Sequence, residues 1–219
     1  MKTICLSAGH QPGVDNGAAF NDLREADLTV KITNRAAEIV RQHGLGCLVV
    51  PDSLDLVQTI RWINERANQI ELCVDVHINS GGGTGVEAWN YAGGPNASDR
   101  LSKSLADACA TETGLPNRGI KDELTNRHGR LGFVHDTTPI AALVECGFID
   151  GDYAFLKSSA GIEKLARGVA RGCLDFLAVP WKPTPTKTPE QLLAEVKTVL
   201  YGPGSSWFKY TKLRALLPQ

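Results

Sequence analysis

The chain has 219 residues, of which 42% are hydrophobic and 21% are charged, values typical of a folded globular protein and unlike those of a disordered or fibrous chain. With 23 Lys and Arg residues against 24 Asp and Glu residues, the net charge of -1 gives no general attraction to nucleic acid or to an anionic membrane surface. The length favours one main domain with a small appendage.

Hydrophobic spacing predicts that strands and helices alternate along most of the chain. The predicted strands are residues 3–8, 47–50, 72–78, 86–91 and 141–148, and the predicted helices are residues 23–43, 56–70, 98–113 and 160–177. The first three strands and the helices between them form a βαβαβ unit, which requires a parallel sheet. The pattern therefore predicts an α/β fold with helices on both faces of the sheet.

A proline-rich stretch marks a predicted domain boundary. We expect the main domain to cover residues 1–179, followed by a stiff linker at residues 180–189 that contains four prolines. Residues 190–219 combine one amphipathic helix with a cluster of aromatic residues. About 30 residues are too few for an independent core, so this tail is expected to dock on the main domain or to target a partner.

The six cysteines are expected to be buried structural thiols, because most lie inside apolar runs and none forms a CxxC pair. Cys146 directly follows Glu145. Since side chains alternate along a strand, Cys146 should face away from His77, which argues against a cysteine nucleophile.

Four residues with metal or proton chemistry lie where the predicted elements begin or end. His10 follows the first strand, Glu25 is early in the first helix, His77 is near the end of the third strand, and Glu145 is near the end of the last strand. The carboxyl ends of parallel strands form the crevice in which α/β proteins bind ligands. These four side chains are therefore expected to meet there.

Two imidazoles and one carboxylate are a ligand set that zinc accepts, and three protein ligands leave a fourth position open for chemistry. Glu145 would then be free to act as general acid and base. The alternative is that the histidines are satisfied core or loop residues and Glu145 is a buried structural carboxylate. Asn79, on the same strand face as His77, and His135 are candidates for substrate contact, with structural roles as the alternative.

Several short motifs in the chain resemble those of the type 3 N-acetylmuramoyl-L-alanine amidases. The motifs run in the family's order across residues 3–178 and are Leu6-Ser7-Ala8-Gly9-His10, Glu25, Val76-His77-Ile78-Asn79-Ser80, Gly85-Val86-Glu87, Arg118-Gly119-Ile120-Lys121 and Leu143-Val144-Glu145-Cys146-Gly147-Phe148-Ile149. The resemblance implies that one Zn²⁺ is held by His10, Glu25 and His77 and that Glu145 is catalytic. It also implies a zinc-exopeptidase-like three-layer sandwich with a mixed, mostly parallel sheet.

The resemblance further implies an endolysin-like hydrolase that cleaves the amide bond between N-acetylmuramic acid and L-alanine in peptidoglycan. A zinc peptidase that cuts within the stem peptide and a non-catalytic wall-binding module are the alternatives. No signal-peptide core follows Met1, and no run reaches the roughly 18 to 20 apolar residues of a membrane helix. We expect a monomer that is made in the host cytoplasm, does not insert into the membrane, and reaches the wall through a phage-encoded pore. A bacterial enzyme used inside a mother cell is the alternative.

Overall fold

The computed structural model describes residues 3–93, 96–126 and 129–182. In this part of the chain the strands are β1 Thr3–Ala8, β2 Ala19–Phe20, β3 Leu23–Arg24, β4 Gly46–Val49, β5 Leu72–Asn79, β6 Val86–Asn90, β7 Asn117–Asp122 and β8 Ile140–Phe148. The helices are α1 Glu25–Gln42, α2 Leu56–Asn64, α3 Ala97–Thr113, α4 Gly132–Asp136, α5 Tyr153–Lys157 and α6 Ser159–Phe176.

Six of these strands form one mixed sheet in the order β4-β1-β5-β8-β6-β7. The strands β4, β1, β5 and β8 are parallel, β6 is antiparallel to β8, and β7 is parallel to β6. The predicted mostly parallel, mixed sheet is confirmed. The edge strand β7 was not predicted, because its sequence Asn-Arg-Gly-Ile-Lys-Asp is polar and has no apolar alternation to reveal it.

Helix boundaries follow local capping chemistry. Asp55 begins α2 with a capping box that it shares with Gln58, and Asn96 begins α3 in the same way with Asp99. The predicted helix 56–70 was too long, because α2 ends at Asn64. Beyond it the Arg66 guanidinium donates to the carbonyl of Trp62, and a separate 3₁₀ turn leads the chain into β5.

Side-chain alternation divides the core into two layers. On one face of the sheet, Ile4 and Leu6 of β1 and Val74 and Val76 of β5 join the main cluster with α1, α3 and α6. On the other face a smaller cluster forms with α2 and α4, and its members include Cys5, Ile63, Cys73, Phe133 and Ala141. The predicted placement of helices on both faces is confirmed. Each fully buried Leu, Ile or Phe contributes roughly 1.5–3 kcal/mol to stability.

All six cysteines are free thiols, and five of them are fully buried. Burial raises the pKa of Cys47 to about 11 and that of Cys73 to about 12. Cys146 lies in the main cluster with α3 and α6, whereas His77 is on the opposite face of the sheet. The predicted orientation of Cys146 away from His77 is confirmed.

The main compact unit ends at Trp181, whose ring lies 4.8 Å from that of His43. The predicted linker from residue 183 onwards and the predicted tail at 190–219 lie outside the described residues. Among the described helices, none combines the length and the apolar character that crossing a bilayer requires.

The crevice lies where the smaller helix layer leaves the sheet uncovered. The helices α2 and α4 cover Cys73 and Ala141 near the start of β5 and β8. Further along the same face, His77 and Glu145 line an open cleft instead of a packed core. The site therefore lies at the carboxyl ends of parallel strands, as the predicted parallel sheet indicated.

Candidate metal centre and catalytic cleft

His10, Glu25 and His77 come together, each offering one atom within 4.8 Å of the others. His10 Nε2 lies 3.3 Å from Glu25 Oε2, and His77 Nδ1 lies 3.0 Å from Glu25 Oε1. One carboxylate thus faces two imidazole nitrogens that come from different elements. The predicted convergence of these three residues is present in the structure.

Glu25 is held in place by the backbone around it. It is the first residue of α1 and is only 4% exposed, and its two oxygens accept hydrogen bonds from the backbone N–H groups of Ala18 and Ile78. Burial alone would raise the pKa of Glu25. Hydrogen bonds from His10 and His77 outweigh burial and keep this pKa well below its ordinary value, so the carboxylate is charged.

The loop after β1 presents His10 in an uncommon backbone conformation. The φ of His10 is +65°, in the left-handed region, and paired hydrogen bonds between the backbones of Gln11 and Asp15 close the loop beside it. His10 Nδ1 lies 2.8 Å from Asp15 Oδ2, and the hydrogen bond with Glu25 raises the pKa of His10. A Cβ on Gly17 would come within 2.6 Å of both the Glu25 carboxylate and the His10 ring, so this position requires glycine.

His77 has a similar pair of partners. Its Nε2 lies 3.1 Å from Asp75 Oδ2, two residues earlier on the same face of β5. Burial would lower the pKa of His77, but the charge and the hydrogen bond of Asp75 raise it well above the ordinary value. The other oxygen of Asp75 is buried and has no hydrogen-bond partner among the described residues.

The donor set fits a zinc ion. Each imidazole has one nitrogen at a carboxylate outside the cluster, Asp15 or Asp75, and its other nitrogen at Glu25. Histidines that bind metals have this arrangement, in which an outer carboxylate fixes the tautomer and the ring orientation. Two imidazoles and a carboxylate also leave a position open, as in catalytic zinc sites.

Three charged or titratable residues form a row across neighbouring strands beside this cluster. His77 on β5 is paired with Glu145 on β8, and Glu145 is paired with Glu87 on β6. Glu145 Oε2 is buried without a hydrogen-bond partner among the described residues. Burial, with the negative charges of Glu25 and Glu87 nearby, raises the pKa of Glu145 to about 8.

Two cavities share His10 and His77 as a common wall. The first, of about 270 Å³, we call the apolar cavity, and its lining includes Leu54, Leu56, Leu131, Phe133, Leu143, Asp15 and Asp75. The second, of about 460 Å³, we call the polar cleft, and its lining includes His10, Glu25, His77, Asn79, Ser80, Trp89, Arg118, Asn126, Glu145 and Phe148. His10, Glu25 and His77 therefore share one solvent-accessible cleft with Glu145.

The structure places the other two site candidates, Asn79 and His135, in different surroundings. Asn79 lines the polar cleft and donates to Glu87 Oε1 at 3.1 Å. His135 is absent from the described lining of both cavities; its Nδ1 lies 2.7 Å from the buried Glu123, and its ring lies against Tyr91. A substrate contact by either residue stays a prediction.

Sequence reasoning assigned no role to Asp15, Glu87 or Arg118. Asp75 could be anticipated, because alternation along β5 places it on the face of His77. Asp15 lies in a loop, and no periodic pattern in the sequence indicates how that loop closes. Glu87 and Arg118 become neighbours only through the pairing of β6 with β7, and β7 itself was not predicted.

Comparison with known proteins places this geometry among cell wall amidases. The family model for N-acetylmuramoyl-L-alanine amidases matches residues 4–175. An endolysin of Bacillus phage SPP1 is 31% identical over 185 residues, which cover 80% of this chain and 66% of the endolysin. A sporulation-specific N-acetylmuramoyl-L-alanine amidase of Bacillus subtilis is 30% identical over 181 residues, which cover 78% of this chain and 67% of the relative. The chain thus spans about two thirds of these relatives.

Solved structures agree in fold. The catalytic domain of an N-acetylmuramoyl-L-alanine amidase from Bacillus (Paenibacillus) polymyxa has a TM-score of 0.71 at 24% identity, with 82% of this chain and 100% of that chain covered. An amidase of Nostoc punctiforme has a TM-score of 0.71 at 24% identity, with 81% and 97% covered. At this level of identity the likeness establishes the α/β fold.

Proposed function

The chain belongs to the N-acetylmuramoyl-L-alanine amidase family, a family of hydrolases, and from that premise we propose that it is a zinc-dependent enzyme that hydrolyses the amide bond between N-acetylmuramic acid and L-alanine in peptidoglycan. The observation that carries the proposal is the placement of Glu145 in the same cleft as the cluster of His10, Glu25 and His77.

His10, Glu25 and His77 are the proposed ligands. When bound, zinc would polarise the substrate carbonyl and lower the pKa of a water molecule to about 7. Asp15 and Asp75 hold the two imidazoles in orientation, so little rearrangement is needed for the site to load. Metal analysis should find about one zinc per chain, and the His77→Ala variant should lose most of it.

Glu145 is the proposed acid and base. Its carboxylate takes a proton from the attacking water as the water oxygen bonds to the carbonyl carbon. It then gives that proton to the amide nitrogen as the C–N bond breaks, which leaves a carboxylate on the muramic acid and a free amine on L-alanine. Glu145 lines the cleft, and its buried Oε2 has no competing hydrogen bond among the described residues.

Digestion of purified cell wall tests the proposed bond. The full-length, zinc-loaded protein should release new amino groups on L-alanine and no new reducing ends. New reducing ends would identify a glycosidase, and new amino groups on other residues would identify a peptidase of the stem peptide. A zinc-loaded protein that binds wall but releases neither would be a wall-binding module.

One relative supports a biological setting for the proposed activity. Similarity to a phage endolysin supports a lytic role at the end of infection, in which a monomeric enzyme leaves the host cytoplasm through a phage-encoded pore. Co-expression with and without a pore-forming protein tests this. Lysis of the host that requires the pore is the expected result, and lysis without it would contradict the proposed release route.

We also propose that residues 1–179 are the catalytic domain, with the linker at 180–189 and a wall-targeting or docking tail at 190–219. Because Trp181 packs against His43, truncation after Lys182 is the informative cut. The truncated protein should retain its activity on a small soluble substrate while binding less to intact wall. Equal wall binding by both proteins would contradict the targeting role.

A further inference from the structure

One cation lines the polar cleft beside the proposed catalytic groups. Arg118 of β7 lies in the cleft with Glu145, and among the described lining residues it is the only Lys or Arg. Its side chain is 39% exposed. The guanidinium is therefore available to a ligand in the same cleft as the reacting bond.

Buried partners fix the position of this guanidinium. Arg118 Nε donates to Glu87 Oε2 at 2.7 Å, and Glu87 is only 4% exposed. Arg118 Cζ lies 4.8 Å from the centroid of the Phe148 ring, over its face. Because Asn79 occupies the other oxygen of Glu87, the carboxylate has little freedom to turn away from Arg118. An arginine held in this way loses little conformational entropy when it binds a ligand.

One edge of the Arg118 guanidinium remains available to a ligand. Nε is committed to Glu87, and Nη1 makes a long contact of 3.4 Å to the carbonyl of Thr84. Nη2 has no hydrogen-bond partner among the described residues. The free N–H groups of a guanidinium fork match the geometry of a carboxylate.

A β-bulge helps to create this arrangement. Val86 is paired with Asn117 and Ala88 with Ile120, so both Arg118 and Gly119 stand opposite Glu87. Gly119 has a φ of +78°, and its N–H is held by the Asn117 side chain. Bulges of this kind re-aim side chains near active sites.

The position of Glu145 sets the direction of the substrate. In the proposed reaction Glu145 gives its proton to the leaving amine, so the peptide that leaves lies on the Glu145 side of the bond. Arg118 lines that same cleft, whereas the apolar cavity lies on the other side of the imidazoles. The acidic stem peptide is thus expected beside the only Lys or Arg in the described lining.

We propose that Arg118 binds a free carboxylate of the stem peptide, on the residue that follows L-alanine, and that it makes the enzyme prefer acidic stem peptides over amidated ones. The inference rests on the proposed function for the direction of the substrate. Arg118 would thus be a specificity residue that contacts the substrate, and Glu87 would position it.

Two matched substrates test the proposal, muramoyl-L-alanyl-D-glutamate and its α-amide, each with the γ-carboxyl group blocked as a methylamide so that the two differ only in the α-carboxylate. The zinc-loaded, full-length protein should cleave the carboxylate form with a kcat/KM at least about tenfold higher, because hydrogen bonds to a charged partner are the strong ones. Arg118→Gln should bring the ratio of the two kcat/KM values close to one, mainly through KM. Lys121→Gln, on the same strand but outside the described lining of the cleft, should keep the wild-type ratio.

A structural role for Arg118 has a different signature. If Arg118 only stabilised the buried Glu87, Arg118→Gln would lower kcat for both substrates and leave the ratio of their kcat/KM values unchanged. That result would overturn the proposal. The double variant Glu87→Gln with Arg118→Gln removes the unpaired charge, and it should still lose the preference. Equal cleavage of the two substrates by the wild-type protein would also overturn it.

A binding measurement separates this inference from the proposed reaction. Calorimetry with the dipeptide L-alanyl-D-glutamate, its γ-carboxyl group blocked as a methylamide, requires no turnover. The wild-type protein should bind this dipeptide at least about tenfold more tightly than Arg118→Gln does. Equal affinities would exclude carboxylate binding by Arg118 even in an active amidase. A difference in affinity without any amide cleavage would support Arg118 and contradict the proposed function instead.

Discussion

Glu87 and Glu145 stand directly opposite each other on β6 and β8. A negative charge beside a carboxyl group raises the pKa of that group. Arg118 and Asn79 hydrogen-bond to Glu87, whereas Glu145 Oε2 has no partner among the described residues. Burial and the negative charges of Glu25 and Glu87 raise the pKa of Glu145 to about 8.

Glu145→Gln should slow amide hydrolysis by about 10²–10⁴-fold, the range that a positioned general acid and base contributes. The amide keeps the shape of the side chain but cannot accept and return a proton. Kinetics on a soluble muramoyl peptide measure the loss, and metal analysis should show an unchanged zinc content. Glu163→Gln, which removes a partner of Arg35 on the surface, is the matched control and should retain wild-type rates. Full activity of Glu145→Gln would remove the residue from the mechanism.

Asp15→Asn and Asp75→Asn should each weaken zinc binding by about 10–100-fold, the usual effect of losing the outer partner of a metal-binding histidine. In the native protein each carboxylate orients an imidazole and increases its basicity, and each variant removes one of these carboxylates. Competition with a chromophoric chelator measures the affinity without turnover. Asp107→Asn, in an exposed ion pair with Lys103, is the control. Wild-type affinity in both site variants would mean that neither carboxylate supports the metal.

Glu112→Gln should reduce stability in a pH-dependent way. Burial would raise the pKa of Glu112, but hydrogen bonds from Arg167 and Arg171 lower it below the ordinary value. A lowered folded-state pKa means that the stabilisation is fully present above the unfolded-state pKa of about 4.3 and is lost as the pH falls through the folded-state pKa.

At pH 7 the free energy of unfolding of this variant should fall by about 1 kcal/mol, after allowance for solvent screening of the two partly exposed arginines. Urea titrations between pH 7 and pH 3 measure this, and the difference from wild type should shrink below about pH 4.3. Glu38→Gln, at an exposed ion pair, should change little at either pH. A constant difference at all pH values would contradict an electrostatic origin.

Gly168→Ala should destabilise the fold although alanine is the better helix former. The substitution gains about 1 kcal/mol in helix propensity. However, the added Cβ would come within 2.6 Å of Cys109 Cα, where α6 crosses α3, and backbone cannot move aside cheaply. Overpacking of this kind costs about 1–3 kcal/mol, so a net loss is expected. Thermal unfolding measures it, with the exposed Lys164→Ala on the same helix as the control. A higher melting temperature for Gly168→Ala would show that the helices can separate.

The short elements and the polar edge of the sheet could not be read from the sequence. The strand β7 has no apolar alternation, and the helices α4 and α5 have five residues each, too few for a helical period to show. Their conformation depends on contacts with distant parts of the chain. For this reason the sequence placed Arg118 of β7 in a family motif but did not indicate a role for it.

Local information was sufficient for the central frame and for the expectation that the proposed ligands meet at one edge of the sheet. Apolar runs of strand length, separated by helices with a clear period, determine β1, β5, β8 and the main helices, because each of these elements must bury an apolar face. His10, His77 and Glu145 end such strands, and parallel strands bring their carboxyl ends to one crevice.

Only the tertiary structure decided the partners of those residues. Asp15 reaches His10 through the closure of a loop, and Glu87 reaches Glu145 and Arg118 through strand pairings distant in sequence. A strand's own sequence indicates which side chains share a face. Which residue stands opposite is set by the register with another strand, and that register depends on the packing of the whole core.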